Sequence, residues 1–200
     1  MRYFQAVSAQ YKAIADYTAN LVISRGDRIQ TAVVRYKSPN LLRLDFSNPE
    51  GMVITVNDEK LKIWAPQYSV TFEQSLLGNN QGQLSMATTP RGLELMEKHY
   101  TIAYADSPGP VPLDDGSNEM VIKLRLNWKS NNEGFRNLEL SINPSLKTIR
   151  RIKGITTTNE SITFDFADIV LNRGIPITKF DYESPPYGNT IDNFLLDPEN

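Results

Sequence analysis

From residue 18 to residue 75, apolar and polar side chains alternate in short runs: ANLVISRG, RIQTAVVRYK, NLLRLDFS, MVITVN, KLKIWAP and YSVTFEQ. Arg25-Gly26-Asp27, Ser38-Pro39-Asn40, Ser47 to Gly51 and Asn57-Asp58-Glu59 separate the runs, and these are turn-forming residues. A period of two means that one face of each strand meets a core and the other meets water. In the third run Leu42, Leu44 and Phe46 share one face, while Leu41, Arg43 and Asp45 share the other. The spacing predicts an antiparallel meander over residues 18–75.

Ahead of it, Phe4, Val7, Tyr11, Ile14 and Ala15 recur at helical spacing and predict an amphipathic N-terminal helix over 1–17. Residues 76–92 interrupt the pattern with Gly, Asn and Gln. The stretch PRGLELMEKHY then predicts a second, short helix in the region 86–99, with Pro90 in its first turn. Residues 106–118, DSPGPVPLDDGSN, read as a polar, proline-rich loop.

Alternation returns over 118–171. Met120, Ile122, Leu124, Leu126 and Trp128 oppose Val121, Lys123, Arg125, Asn127 and Lys129. Leu138, Leu140 and Ile142 follow a Ser-Asn-Asn-Glu-Gly turn, and two more strands cover 148–157 and 161–171, the last with Ile162, Phe164 and Phe166 on one face. Residues 172–200 read as a tail ending in turns. No repeat or charge run marks a boundary, so residues 1–200 read as one domain.

About ten one-sided strands and only two helices pose a covering problem, because a wide open sheet needs more helices or must curl. The expected fold is mainly β with two helical segments: a curved antiparallel sheet forming an incomplete β-barrel, capped by the helices. At about ten strands such a barrel is wider than its side chains readily fill. Either the helices and large side chains fill it, or an apolar ligand completes it.

Composition narrows the chemistry. The chain has 200 residues, 40% apolar and 10% aromatic, which is ample for a core. A net charge of -2 argues against a nucleic-acid partner, which would demand a basic footprint. The absence of cysteine removes disulfides, thiolate catalysis and cysteine-based metal sites. No apolar run is long enough to span a membrane, and the first residues lack the apolar core of a leader peptide.

His99 is the only histidine, so a His-rich metal site is excluded and a Ser-His-Asp triad would rest wholly on it. A hydrolase of apolar esters would use a Gly-x-Ser-x-Gly elbow, and none is present. No enzyme activity and no cofactor are expected. Asp114-Asp115 reads as loop solvation, and Arg150-Arg151-x-Lys153 as a small basic cluster able to steer an acidic partner. Trp64 and Trp128 read as barrel packing, and Tyr182, Pro185 and Pro186 as turn residues.

Three stretches carry a family resemblance. YKSPNLLRLDFSNPEG resembles the hallmark of LolA-type periplasmic lipoprotein carriers, a basic-Arg-Pro-Asn-Leu-aromatic run leading through a strand to a Pro-acidic turn. VNDEKLKIWAP resembles the family's next hairpin, and KFDYESPPYGNTI its C-terminal signature. They occur in the family's order and spacing, so the resemblance spans essentially the whole chain.

The resemblance implies a half-open barrel closed by a helical lid. It implies a monomeric, non-enzymatic carrier that takes acylated lipoproteins from an inner-membrane releasing complex, through the periplasm, to an outer-membrane acceptor. A leader would then have been removed. Leu42 matches the family's aromatic after Pro-Asn-Leu, and Leu44 its inward tryptophan. The cavity is expected to be lined by Leu42, Leu44 and Phe46, by Ile63, by Leu124, Leu126 and Leu140, and by Phe164 and Phe166, with Leu93 and Met96 on the lid. The family-motif positions are Ser38, Pro39 and Asn40.

At Ser38 the family has an arginine that latches the lid through its backbone, so the latch here is missing or made by other groups. Lys37 and Arg43 are near, but Arg43 lies on the face opposite Leu42. The related outer-membrane acceptor LolB projects a hydrophobic loop where this chain has the short, polar SNPEG, which favours the soluble carrier. A third relation, a lipid- or peptide-sensing module on the same sheet, ordinarily carries a second domain for which this length leaves no room.

Overall fold

The structure, a computed structural model, describes residues 1–57, 60–76, 88–130 and 134–193. Helix α1 (Arg2–Ala13) leads into β1 (Asp16–Arg25), β2 (Arg28–Lys37), β3 (Leu41–Asn48), β4 (Glu50–Val56), β5 (Lys60–Ala65) and β6 (Val70–Ser75). Helix α2 (Pro90–His99) runs directly into β7 (Tyr100–Tyr104), followed by β8 (Val111–Pro112), β9 (Met120–Trp128), β10 (Phe135–Ile142), β11 (Ile149–Thr156), β12 (Ser161–Leu171) and β13 (Asn189–Asp192).

The hydrogen-bonded order is β13-β6-β5-β4-β3-β2-β1-β12-β11-β10-β9-β7, with β8 attached to β9. This one curved sheet is not closed into a barrel, as the alternation predicts. Its pairs are antiparallel except β13 on β6. The first six strands form a meander, the last ones return, and the halves join where β1 pairs with β12.

Several expectations are corrected. The helix does not reach residue 17: Ile14 is extended (φ −75°, ψ 119°), and Asp16 already belongs to β1. Two ladders, to β2 and β12, claim the backbone from Asp16 onward and outcompete a further helical turn. Thirteen strands appear among the described residues rather than about ten. The extra ones, β7, β8 and β13, are short and take their hydrogen bonds from remote partners, so no local period announces them. The β8 strand lies within the stretch expected to be loop.

The concave face and both helices form a single apolar cluster. Phe4, Val7 and Tyr11 from α1, and Leu93 and Met96 from α2, meet Tyr17, Val34 and Tyr36 of the sheet. Each such side chain removed from water contributes roughly 1.5–3 kcal/mol. Thr89 caps α2, its hydroxyl accepting from the Gly92 amide at 3.2 Å, and Pro90 opens the helix without losing a hydrogen bond.

The convex face carries ion pairs. Asp45 takes Arg35 and Arg43, and Glu73 takes Lys60 and Lys62. Arg150 pairs with Glu119 and Asp165, and Arg151 pairs with Asp165 and Asp114. Both guanidiniums of the basic cluster are therefore neutralised within the fold rather than left to steer a partner. Asp114, expected to serve solvation, is held below the usual carboxylate range by its hydrogen bond to Arg151.

The tail crosses this convex face as a strap. The Asp16 carboxylate, 2% exposed, accepts the backbone amides of Arg173, Gly174 and Ile175 at 2.8–3.1 Å. Arg43 donates to the Lys179 carbonyl at 3.0 Å and lies 5.4 Å from the Tyr182 ring centroid. Trp64 does pack, but on this outer side, where it meets Tyr187 in a T-shaped contact and the backbone of Gly188.

Candidate functional site: the concave face and its helices

Strand register brings the expected inner-face residues together. Leu42 lies opposite Tyr36 and Val56, and Leu44 opposite Val34 and Ile54. Leu124 faces Leu140 across β9 and β10, while Phe166 faces Leu21 across β12 and β1. Leu42, Leu44, Phe46, Leu124, Leu126, Leu140, Phe166, Leu93 and Met96 are all buried in the one cluster. Ile63 and Phe164 pack against it but stay half-buried, as do Ile54 beside Ile63 and Ile23 beside Phe164. All of these side chains are apolar. Among the described residues no group of three His, Asp or Glu could hold a metal ion.

Tyr11, Tyr17 and Tyr36 are among the residues that bring polar groups into this interior, and periodicity does not single them out as functional. Tyr17 donates its phenol to Thr88 Oγ1 at 2.7 Å, with the Thr88 carbonyl at 3.1 Å. Its ring stacks on Tyr36 with centroids 5.3 Å apart and meets Tyr11 edge-on at 6.5 Å. Tyr36 donates to the Pro39 carbonyl at 3.0 Å, and Tyr11 accepts the Ile149 amide at 3.0 Å. Burial pushes all three phenols above their ordinary range. Tyr17 falls within the stretch expected to be helix, so nothing in the local pattern pointed to its inward position on β1.

The motif turn lies at the same end. Ser38 and Pro39 are joined by a cis peptide bond, and the Ser38 amide donates to the Ala15 carbonyl at 2.8 Å. The nearby cations serve the tail instead of the lid: Lys37 donates to the Ile175 carbonyl at 2.9 Å, and Arg43 sits on the convex face. The polar tie to the segment entering α2 comes from Tyr17.

Tyr11, Ile14, Tyr17, Thr88, Ile149 and Phe166 are among the residues that enclose an apolar pocket of about 10 Å³. That is the room of a single water, far below the ~300 Å³ at which ordinary ligand sites begin. In this conformation the helices and large side chains occupy the space beneath α1.

Among the described residues no helix is long and apolar enough to cross a membrane. No protein-family model matches the sequence, and no curated protein matches it. Solved structures do match. An uncharacterized conserved protein from Thermus thermophilus is similar at TM-score 0.63 and 12% identity, over 94% of this chain and 98% of that one. MucB, also solved in complex with MucA from Pseudomonas aeruginosa, is similar at TM-score 0.57 and 11% identity, over 90% of this chain. This chain spans 62% of MucB. A LolA superfamily protein from Nitrosomonas europaea is matched at TM-score 0.44 and 14% identity, over 89% of this chain and 97% of that one. The open, curved sheet with helices on its concave side is shared with the Thermus protein and with MucB, and at these identities what is shared is the fold.

Proposed function

We propose that this chain is a periplasmic carrier that binds the acyl chains of lipoproteins between the concave face and α2. It would accept them from an inner-membrane releasing complex and pass them to an outer-membrane acceptor. The observation that carries this proposal is the continuous apolar concave face, covered by two short helices rather than by a second sheet.

The energetics suit a shuttle. Each buried methylene contributes roughly 0.8 kcal/mol, so a sixteen-carbon chain gains on the order of 12 kcal/mol gross. Lifting Leu93 and Met96 off the sheet and breaking the Tyr17–Thr88 hydrogen bond costs about 4–7 kcal/mol against it. The difference favours uptake but leaves release within reach of an acceptor with a better apolar surface.

Titration with a fluorescent fatty acid tests this. Saturable binding is expected, with loss in Leu42→Glu; Ile63→Glu, at a half-buried position, makes the same test where unfolding is less of a risk. Unchanged binding in a folded Ile63→Glu variant, or no binding by the wild type, overturns the carrier reading.

The small pocket and the likeness to MucB favour one other reading, a peptide-sensing module that keeps its interior filled. Native mass spectrometry separates the two: co-purifying lipid supports carriage, and a persistently empty protein supports sensing.

A further inference from the structure

A groove of about 590 Å³ lies between the end of α1, the Ser38-Pro39-Asn40 turn and the outer face of α2. Arg91, Glu94, Leu95 and Lys98 line it from α2, at helical spacings that place them on one face, away from buried Leu93 and Met96. Lys12 joins them from the last turn of α1 and pairs with Glu94 at 2.8 Å. Three cations thus meet one carboxylate, in a chain whose net charge is -2. The side chains of Arg91 and Lys98 make no ion pair or hydrogen bond with a described residue, whereas the Arg150 and Arg151 guanidiniums are paired within the fold. Pro39, Pro90 and Leu95 supply apolar surface between the charges.

We propose that this groove docks the protein on a phospholipid surface through anionic headgroups. Exposed basic side chains interleaved with apolar ones suit the headgroup boundary, where phosphates meet the cations and prolines and leucine reach toward the acyl region. A purely polar acidic partner would leave Pro39, Pro90 and Leu95 without a complement. The site lies on the outer face of α2, away from the concave face.

The test is co-sedimentation of the full chain with phosphatidylcholine vesicles, with and without phosphatidylglycerol. Binding is expected only with phosphatidylglycerol, and it should weaken as salt rises. Each basic side chain near such a surface is worth about five-fold in affinity, so Arg91→Glu with Lys98→Glu should lose about 25-fold or more. Reversal of Arg28, exposed at the β1–β2 turn, should change little. Equal binding to phosphatidylcholine alone, or full binding by the folded double variant, overturns the proposal. So does complete competition by a soluble glutamate-rich peptide or by glycerol phosphate, which would make the groove a peptide or free-phosphate site. Fatty-acid uptake by the wild type is measured alongside. Failure of uptake with vesicle binding intact would remove the carrier function alone.

Discussion

Tyr17 shows how one side chain can matter more than its place in a hydrophobic pattern. Its ring is part of the core, while its hydroxyl is the polar tie between β1 and the segment that enters α2. Tyr17→Phe keeps the ring and removes the donor, so a loss of about 1 kcal/mol in stability is expected at neutral pH. The same change should speed entry of the fluorescent fatty acid, read by stopped flow. An alkaline signature accompanies it. The folded phenol titrates well above the ordinary 10.0, so its contribution is complete below that value and is lost as pH rises from there toward the raised one. That direction follows because the unfolded chain gives up the proton first, and the folded form, which must keep it, loses ground. Wild-type melting temperature should therefore fall above a pH of about 10, and the fall should be shallower in Tyr17→Phe. An unaltered alkaline limb would place the titrating groups elsewhere.

Among elements, the tail is the piece whose role differs most from its appearance in sequence. Prolines and turn residues over 172–193 form a strap, held at one end by the Asp16 carboxylate and at the other by parallel pairing of β13 with β6. Between them the backbone at Gly188 lies against Trp64, and a Cβ there would come within 2.6 Å of the indole ring. Gly188→Ala must shift the strap or the ring, at a cost of about 1–3 kcal/mol. Denaturant titration followed by tryptophan emission should show both the lost stability and an altered native signal. A variant as stable as the wild type would mean that the strap adds little to the edge at β6.

For the whole molecule, the question is whether α2 leaves the sheet. The pocket beneath α1 holds about 10 Å³, so a chain taken up at that place would have to displace a helix. Amide hydrogen exchange should therefore rise across Pro90–His99 when fatty acid is added, while β9 and β10 stay protected. Increased protection of α2 on lipid addition would contradict lid movement and point to binding outside the concave face.

Much of this was legible from local pattern. Leu42, Leu44 and Phe46 face inward, and so do Leu124, Leu126 and Leu140, because successive strand side chains alternate whatever the strand pairs with. The one-sidedness of the strands and the scarcity of helix also required a curved sheet. Pairing with remote residues was not legible. Helix α1 stops at Ala13 because β2 and β12 claim the next backbone; Trp64 lies outside because the tail returns over it; and Arg150 and Arg151 are neutralised because Glu119, Asp114 and Asp165 come to them. The sequence by itself determined which face of each strand is oily, since that follows from the geometry of a single strand. Tertiary structure alone decided how full the interior is, which phenol ties the lid segment and which cations remain unpaired, since each depends on groups far apart in the chain meeting at hydrogen-bond distance.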